Sequence, residues 1–325
     1  MPGHDVYQSK LPHSLLSIKM KHSISVIIPV YNSQEILPLL IARLLPALKK
    51  ISREFEILLV NDGSQDESWK TIQELAKNNR TIRGINLMRN YGQHNALLCG
   101  IRQADNDVLI TMDDDLQHPP EEIYKIIEGI DGGYDVVYGV PHKLVHSRWR
   151  NVSSQVAKGL LAKVLGIKRI KSLSAFRGIR RDIRQAFEKY DGPNVIIDAL
   201  LTWGTDNFGI VEVNEQPRSI GRSNYNLWSL VKMTLVMLTG FSTLPLRFAS
   251  FLGFVFTLFG IGVLVYVVIR AILEGSIPGF PFLASIISIF SGVQLFTLGI
   301  FGEYLGRIFN LSMNHPTYVI HEKTE

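Results

Sequence analysis

Three consecutive acids, Asp113, Asp114 and Asp115, follow the largely apolar segment 108–112. Such a segment is typical of a buried strand, so the pattern predicts carboxylates where a strand ends. Side chains two apart on a β-like segment point the same way, and Asp113 and Asp115 could therefore converge on one Mg²⁺ or Mn²⁺ ion while Asp114 points elsewhere. A solvated acidic turn is the alternative that the triplet alone leaves open.

Further polar groups stand where other predicted strands end. Asp62 lies in an Asn-Asp-Gly-Ser segment and is placed to accept hydrogen bonds from a nucleobase or ribose, although Asp-Gly-Ser is also an ordinary turn. Several arginines could neutralise phosphate groups: Arg177, Arg180, Arg218 and Arg222. Carboxylate, metal and arginine together would suit a diphosphate ligand.

The elements that must position these groups alternate along the chain. Apolar runs predict strands over 24–30, 55–60, 82–87 and 108–112, with helices over 37–50, from 68 onward and over 92–103. Further strands are predicted over 135–139, 176–181 and 210–214. This alternation predicts an α/β fold with a largely parallel sheet and helices on both faces. Ligands of such sheets bind beyond the carboxyl ends of the strands, where the acids fall.

Two long apolar segments follow. Residues 248–269 and 280–302 are 22 and 23 residues without a charge, and each is long enough to cross a bilayer. Core helices are the alternative, but they are rarely apolar on every face. Lys232 and Arg247 precede the first segment and Arg307 follows the second, which favours both ends in the cytoplasm. No charged-then-apolar leader opens the sequence, so we expect a multi-pass protein of the inner (plasma) membrane with a cytoplasmic catalytic domain.

Charge and cysteine content narrow the class further. The net charge is +5, and residues 142–189 hold thirteen Lys or Arg against two acids. A basic block before membrane spans favours an anionic lipid surface or a phosphate-bearing ligand, and we expect no nucleic-acid partner because no nucleic-acid module is recognisable. One cysteine, Cys99, permits no internal disulfide and fits a reducing compartment.

Four segments, taken in order and spacing, resemble a known family. They are Val26-Ile-Ile-Pro-Val-Tyr-Asn32, Val60-Asn-Asp-Gly-Ser64, Arg89-Asn-Tyr-Gly-Gln93 and Met112-Asp-Asp-Asp-Leu-Gln-His-Pro-Pro-Glu121. The family is that of the family 2 glycosyltransferases of GT-A fold. Within it the chain resembles the polyprenyl-phosphate type, which includes dolichol-phosphate mannose synthases and bacterial undecaprenyl-phosphate glycosyltransferases. The paired C-terminal spans are similar to those of the bacterial members.

The resemblance implies inverting, metal-dependent transfer of a sugar from a nucleotide-diphosphate sugar, UDP- or GDP-linked, to a polyprenyl phosphate at the cytoplasmic membrane face. It implies nucleotide contacts from Pro29, Tyr31, Asp62 and Asp113, and Mg²⁺ or Mn²⁺ on Asp113 and Asp115. The same likeness gives catalytic roles to Asp115, Gln117 and Arg177. It also implies phosphate or lipid-phosphate binding by Arg218, Arg222 and Ser223.

One departure from the family pattern concerns the catalytic base. Family members usually carry an Asp shortly before the Phe-Arg segment, whereas this chain has Lys171-Ser-Leu-Ser-Ala-Phe-Arg177. The segment therefore supplies no carboxylate base at that position. The chemistry does not require one, since a phosphate monoester with a second pKa of about 6 is already mostly anionic at neutral pH.

Two other functions compete with this interpretation. A processive polysaccharide synthase would resemble its class in a Gln-x-x-Arg-Trp motif, but Val145 stands where Gln is needed before Arg148-Trp149. A membrane scaffold with a degenerate transferase domain is favoured only by the missing acid. A dinucleotide oxidoreductase is excluded because no Gly-x-Gly-x-x-Gly turn follows the first strand.

The predicted organisation has five parts. These are a flexible tail (1–21), a GT-A catalytic domain (22–226), an interfacial amphipathic helix (227–247), two transmembrane helices (248–302) and a cytoplasmic tail (303–325). Ser285, Ser288, Ser291 and Gln294 recur on one stripe of the second span, which predicts packing on a partner helix and hence a homo-oligomer.

Overall fold

Strands and helices alternate as the sequence predicts in the computed structural model, which describes residues 21–141, 174–192, 195–214, 216, 244–274, 279–313 and 315–324. The elements in chain order are β1 (Ile24–Val30), α1 (Leu37–Ile51), β2 (Phe55–Asn61), α2 (Ser68–Asn78), β3 (Ile82–Leu87), α3 (Gln93–Gln103), β4 (Val108–Thr111), a 3₁₀ turn (Pro120–Glu122), α4 (Ile123–Asp131), β5 (Val136–Pro141), β6 (Arg177–Arg180), a second 3₁₀ segment (Arg181–Ala186), α5 (Ile197–Gly204), β7 (Phe208–Val213), α6 (Leu244–Glu274), α7 (Phe280–Ser312) and β8 (Ile320–Lys323). Predicted and observed bounds in the first half differ by one or two residues.

The strands form one sheet of eight in the order β7-β5-β6-β4-β1-β2-β3-β8. Neighbours β4, β1, β2 and β3 are parallel, and so are β5 and β7. The strands β6 and β8 run antiparallel to their neighbours. The predicted α/β fold with a mostly parallel sheet is confirmed.

Two apolar layers enclose the sheet, because the central strands are buried on both faces. Helices α1, α2 and α4 pack on one face, with Leu37, Leu44 and Ile126 fully buried. On the other face lie α3 and α5, with Leu98 and Leu200 fully buried. Continuous apolar runs such as that of β1 are what a strand covered on both faces requires.

The direction of β6 decides where its first residue lies. Because β6 is antiparallel, its amino end lies at the edge where the parallel strands have their carboxyl ends. Arg177 pairs with Thr111, the last residue of β4, and on the other side with Tyr138 of β5. Arg177 therefore lies next to the turn that carries the acids.

The helices α6 and α7 are candidate membrane spans by length and composition. The qualifying stretches are Pro245–Leu273 and Ile289–Ser312, with mean hydropathies of 2.6 and 1.2. Their apolar side chains are exposed, as at Phe251 and Leu295. Both helices extend beyond the predicted spans. The helix α7 continues past Arg307, which forms an ion pair with Glu303 one turn away.

The segment after α7 returns to the catalytic sheet. Residues 303–325 were expected to form a tail, yet they hold the last turns of α7 and the strand β8, which pairs with β3. Thr324 exchanges hydrogen bonds with Gly84, and Met88 donates its amide to the carbonyl of Val319 at 3.0 Å. The prediction of a simple tail is thus corrected. Most of the predicted interfacial helix, residues 227–243, lies outside the described residues.

Candidate active site

The acidic triplet lies in a turn. The strand β4 ends at Thr111, so the strand alternation expected of Asp113 and Asp115 does not apply, and the turn contains Leu116 with a positive φ of 59°. Positive φ is costly for leucine and is tolerated where the surroundings fix it, often at functional sites. The other non-glycine residue with positive φ in the described chain is Asn32, in the loop after β1. Both therefore lie in loops at the carboxyl edge.

The middle acid joins two loops. Asp114 accepts a hydrogen bond of 2.5 Å from the hydroxyl of Ser33, in the loop after β1. Burial raises the pKa of Asp114 to about 6, the Ser33 hydroxyl and the Tyr31 amide lower it, and the charge of Asp115 raises it. The side chain of Asp114 is therefore bonded within the protein.

The flanking acids are half-buried and each has a protein donor. Gln93, the first residue of α3, donates its Nε2 to Oδ1 of Asp113 at 2.6 Å. The amide of Gln117 donates to Oδ1 of Asp115 at 3.1 Å, within the turn. Gln93 closes the family-like segment Arg89-Asn-Tyr-Gly-Gln93, but sequence reasoning assigned it no role because its partner is twenty residues away in the chain.

Asp62 is buried and bonded to the backbone of a neighbouring loop. It is 3% exposed, and its two carboxylate oxygens accept the amides of Tyr91 and Gly92 at 2.7 and 2.9 Å. Burial raises the pKa of Asp62, and the two amides act in the opposite direction. The observed role of Asp62 is to fasten the loop after β3 to the loop after β2, so contact with a nucleotide stays a prediction.

Hydrogen bonds connect the four loops that follow β1, β2, β3 and β4 into a ring. The loops after β1 and β2 meet where the amide of Asn32 donates to the Ser64 hydroxyl oxygen at 3.0 Å and Oδ1 of Asn32 accepts the amide of Gln65 at 2.8 Å. Gly63 has a φ of +65°, and a Cβ there would lie 2.5 Å from the backbone of Arg89. Only glycine allows this approach, so the Asn-Asp-Gly-Ser segment has a structural reason for its glycine.

Arg177 is buried below the acidic turn. It is 2% exposed and forms an ion pair with Asp198 of α5, which also accepts a hydrogen bond of 2.8 Å from the phenol of Tyr138. Burial lowers the pKa of Arg177, but the charges of Asp198, Tyr138 and Asp113 outweigh it, and the pKa is raised overall. Sequence reasoning singled out Arg177 but missed both Asp198 and Tyr138, because no local motif marks them.

The other two residues predicted to contact the nucleotide, Tyr31 and Pro29, differ in exposure. Tyr31 is 46% exposed at the carboxyl edge and is accessible to a ligand. Pro29 lies within β1 and is buried, so its placement does not favour direct contact with a nucleotide. Both assignments stay predictions.

The carbonyl of Gln117 leads to the predicted phosphate-binding loop. It accepts the amide of Gln216 at 2.8 Å. Arg218, Arg222 and Ser223 lie outside the described residues. Gln216 is the last described residue before the predicted basic loop, and the chain lies beside the acidic turn at that residue.

The donor set suits a hard divalent cation held jointly with a ligand. Within the described ranges no group of three or more His, Cys, Asp and Glu side chains is arranged to hold a metal. Asp113 and Asp115 offer two carboxylates in one half-buried turn. Mg²⁺ and Mn²⁺ prefer oxygen ligands, and Mg²⁺ usually takes about one or two carboxylates with substrate phosphates and water completing its shell. These two acids fit such an ion.

Comparison with known proteins agrees with this site. The family model described as Glycosyl transferase family 2 matches residues 25–188, which run from the second residue of β1 past β6 and include all four loops of the ring. The chain belongs to this family and is a glycosyltransferase. The enzyme prediction is confirmed, and the scaffold alternative loses its support.

Relatives match almost the whole chain. The chain is 35% identical over 304 residues to the undecaprenyl-phosphate 4-deoxy-4-formamido-L-arabinose transferase of Proteus mirabilis, covering 92% of this chain and 93% of that protein. The enzyme of the same description from Photorhabdus laumondii is 33% identical over 94% of this chain and 95% of its own length. An uncharacterized glycosyltransferase of Synechocystis sp. is 31% identical, with 93% and 95% covered.

Solved structures share the fold. Glucosyl-3-phosphoglycerate synthase from Mycobacterium tuberculosis, in complex with Mn²⁺, UDP-glucose and phosphoglyceric acid, is similar with a TM-score of 0.51 and 18% identity. The similarity covers 69% of this chain and 80% of that one. The GT-A-like fold expected from the sequence is thus confirmed.

Proposed function

We propose that the protein transfers a sugar from a nucleotide-diphosphate sugar to a polyprenyl phosphate, such as undecaprenyl phosphate, with inversion at the sugar and with Mg²⁺ or Mn²⁺. The observation that carries the proposal is the ring of four loops at the carboxyl edge, in which Asp113 and Asp115 lie beside Gln93 and Gln117. A lipid acceptor is supported by the two apolar helices that follow this domain in the chain. It is also supported by relatives of nearly full length whose descriptions name undecaprenyl phosphate.

The reaction forms one bond and breaks one. A phosphate oxygen of the acceptor attacks the anomeric carbon, and the bond from that carbon to the donor diphosphate breaks, releasing the nucleoside diphosphate. The acceptor needs little deprotonation at neutral pH, since its second pKa is about 6. The bound metal would neutralise negative charge on the departing diphosphate.

The residues of the chain bind and orient the two reactants. Tyr31 would contact the nucleoside from its exposed position, and Asp62 keeps the adjoining loops in place. Asp113 and Asp115 would hold the metal. The phosphate groups would be bound by Arg218, Arg222 and Ser223, which follow in the chain after Gln216, the residue whose amide bonds to Gln117. Aligning and neutralising reactants in this way is a main source of catalysis.

The location follows from the spans. Two membrane-crossing helices would place both ends of the chain on one side, and the basic residues favour the cytoplasmic side of the inner membrane. Ser291 and Gln294 of α7 are exposed, which is compatible with a helix-to-helix contact between copies and supports the homo-oligomer proposal. Sedimentation of the detergent-solubilised protein would test it, and a monomer at all concentrations would contradict it.

The experiment is transfer of radiolabelled sugar from a panel of UDP- and GDP-sugars to undecaprenyl phosphate, with Mg²⁺, Mn²⁺ or EDTA. We expect a chloroform-soluble product from one donor, and no product with EDTA. Undecaprenol without phosphate is the matched acceptor control and should give none. Equal transfer in EDTA would contradict the metal, and absence of lipid product with every donor would contradict the acceptor.

A further inference from the structure

Arg177 is associated with two carboxylates of different kinds. It forms a buried ion pair with Asp198, and both side chains are at most 10% exposed. Its backbone pairs with Thr111, two residues before Asp113, and the charge of Asp113 helps to raise its pKa. Asp113 belongs to the half-buried acidic turn that the proposed function assigns to the metal and diphosphate. The guanidinium thus connects the interior of the domain to the site.

Asp198 is fixed from several directions. It lies in the first turn of α5, and its Oδ1 accepts both the Arg177 guanidinium and the Tyr138 phenol. Burial and the charge of Asp198 raise the pKa of Tyr138 well above its usual range, so the phenol remains a donor. The amide of Ile197, next to Asp198, approaches Nδ1 of His94 at 3.4 Å. His94 in turn follows Gln93, the donor to Asp113.

We propose that Asp198 is a positioning residue for the transfer reaction. It holds one side of the Arg177 guanidinium so that the positive charge is directed at Asp113, and it thereby keeps that carboxylate in the orientation that binds the metal and diphosphate. The inference rests on the proposed function. It also accounts for the acid missing before Phe-Arg: a carboxylate is present beside Arg177 in space, from α5, although none stands near it in the preceding segment 171–176.

Burial gives Asp198 a positioning role and argues against proton transfer. The residue is 7% exposed, and its Oδ1 serves a cation and a phenol. The Nε of Arg177 has no hydrogen-bond partner among the described residues, so the guanidinium keeps a donor beyond its bond to Asp198.

A structural role alone is the competing explanation. A buried ion pair contributes little net stability and can often be replaced by apolar residues of similar volume. If Asp198 served only the fold, Asp198→Asn would lower the unfolding temperature and leave Mn²⁺-dependent nucleotide binding by the folded protein unchanged. If it positions Arg177 against Asp113, the folded Asp198→Asn protein binds the nucleotide less tightly. Residues that orient metal ligands typically change metal affinity or activity by about 10–100-fold when mutated.

The test measures equilibrium binding of UDP and of GDP to the full chain in detergent, with and without MnCl₂, for wild type and Asp198→Asn. The substitution keeps the shape of the side chain and removes its charge. We expect Mn²⁺-dependent nucleotide binding to weaken by about 10–100-fold, with binding in EDTA unchanged. If Asp198→Asn does not fold, Tyr138→Phe, which removes only the phenol donor, should show a smaller loss in the same direction.

Two controls separate positioning from folding. Glu56→Gln breaks the ion pair with Arg83 at the opposite edge of the sheet and should leave Mn²⁺-dependent binding at the wild-type level. The double variant Arg177→Met/Asp198→Leu should unfold at a temperature close to that of wild type but remain defective in Mn²⁺-dependent binding. Recovery of that binding in the double variant, or wild-type binding in Asp198→Asn, would overturn the proposal.

The outcome also separates this inference from the proposed function. Weakened Mn²⁺-dependent binding in Asp198→Asn, together with no lipid product from wild type, would support the positioning role and contradict the acceptor. A wild type that binds neither nucleotide with Mn²⁺ would overturn both proposals.

Discussion

An arginine paired with a carboxylate of low exposure occurs at both edges of the sheet. At the amino edge Arg83 contacts Glu56 at 2.7 Å and Asp105 at 3.0 Å. Glu56 also accepts the hydroxyl of Ser25 at 2.6 Å, and the Arg83 side chain is 38% exposed. At the carboxyl edge Arg177 and Asp198 are almost completely buried. The residue types match, but the surroundings differ.

The difference lies in what each pair faces. The amino-edge groups bond to one another and are partly exposed to solvent. Their bonds connect β2, β3 and the loop before β4. The carboxyl-edge pair lies next to the turn that carries Asp113 and Asp115, and the charge of Asp113 acts on Arg177. Strand direction decides which edge gathers loops around a ligand. The position of the buried ion pair therefore indicates a function, because a pair of the same residue types at the other edge of the sheet has no such neighbours.

The largest effect on stability is expected from replacing Gly63, where the loops after β2 and β3 meet. In Gly63→Ala the new Cβ meets backbone atoms of Arg89 and Asn90 at 2.5 Å, at a φ of +65°. Positive φ costs a non-glycine residue about 1–2 kcal/mol, and the collision adds about 1–3 kcal/mol. Urea unfolding of the full chain followed by tryptophan fluorescence should show a loss of about 2–5 kcal/mol.

The matched control is Gly133→Ala at the amino edge. Gly133 has a φ of +97° with no atom within 4 Å of a new Cβ, so only the conformational cost of about 1–2 kcal/mol applies. Equal losses in the two variants would show that the approach of the loops after β2 and β3 is not as close as described.

A smaller loss is expected from Asp62→Ala, because the amides of Tyr91 and Gly92 lose their acceptor. Leaving buried donors unsatisfied costs about 1–3 kcal/mol. Asp105→Ala, which removes a carboxylate whose side chain is 74% exposed, should cost about 1 kcal/mol or less. Thermal unfolding of both variants measures the difference, and a more damaging Asp105→Ala would reverse the proposed contrast between the edges.

The smallest effect concerns docking of β8. Burial raises the pKa of the Cys99 thiol to about 12, and Tyr318, shortly before β8, hydrogen-bonds to it. Thiolate is the reactive form, so native protein should resist a thiol reagent at pH 8 and react on unfolding. Tyr318→Ala should speed labelling without unfolding the domain. Fast labelling of the wild type would contradict the docking of this segment.

The fold was predictable where the chain carries continuous apolar runs. The strands β1 to β4 and helices α1 and α3 were expected within one or two residues of where they lie, because a doubly covered strand has a simple composition. The strand β8 was missed because the segment Ile320–Lys323 has one apolar residue and mostly exposed side chains, as an edge strand can.

The site was predictable in location and less so in contacts. Strand ends identified Asp62 and the acidic triplet, and the family resemblance added Tyr31. The bonds that Asp62 and Asp114 make could not be inferred, because they depend on how loops from different strands approach one another. Asp198 was missed because it meets Arg177 from 21 residues away, through the antiparallel placement of β6.

The most direct test of the account uses the two ends of one strand. Asp115 follows β4 and Asp107 precedes it, where its carboxylate accepts a 2.7 Å hydrogen bond from the Ser23 hydroxyl. Sugar transfer to undecaprenyl phosphate is compared in wild type, Asp115→Asn and Asp107→Asn. We predict that Asp115→Asn loses about a hundredfold or more of the rate, while Asp107→Asn stays within about twofold of wild type. Equal activity in the two variants would contradict catalysis at the carboxyl edge.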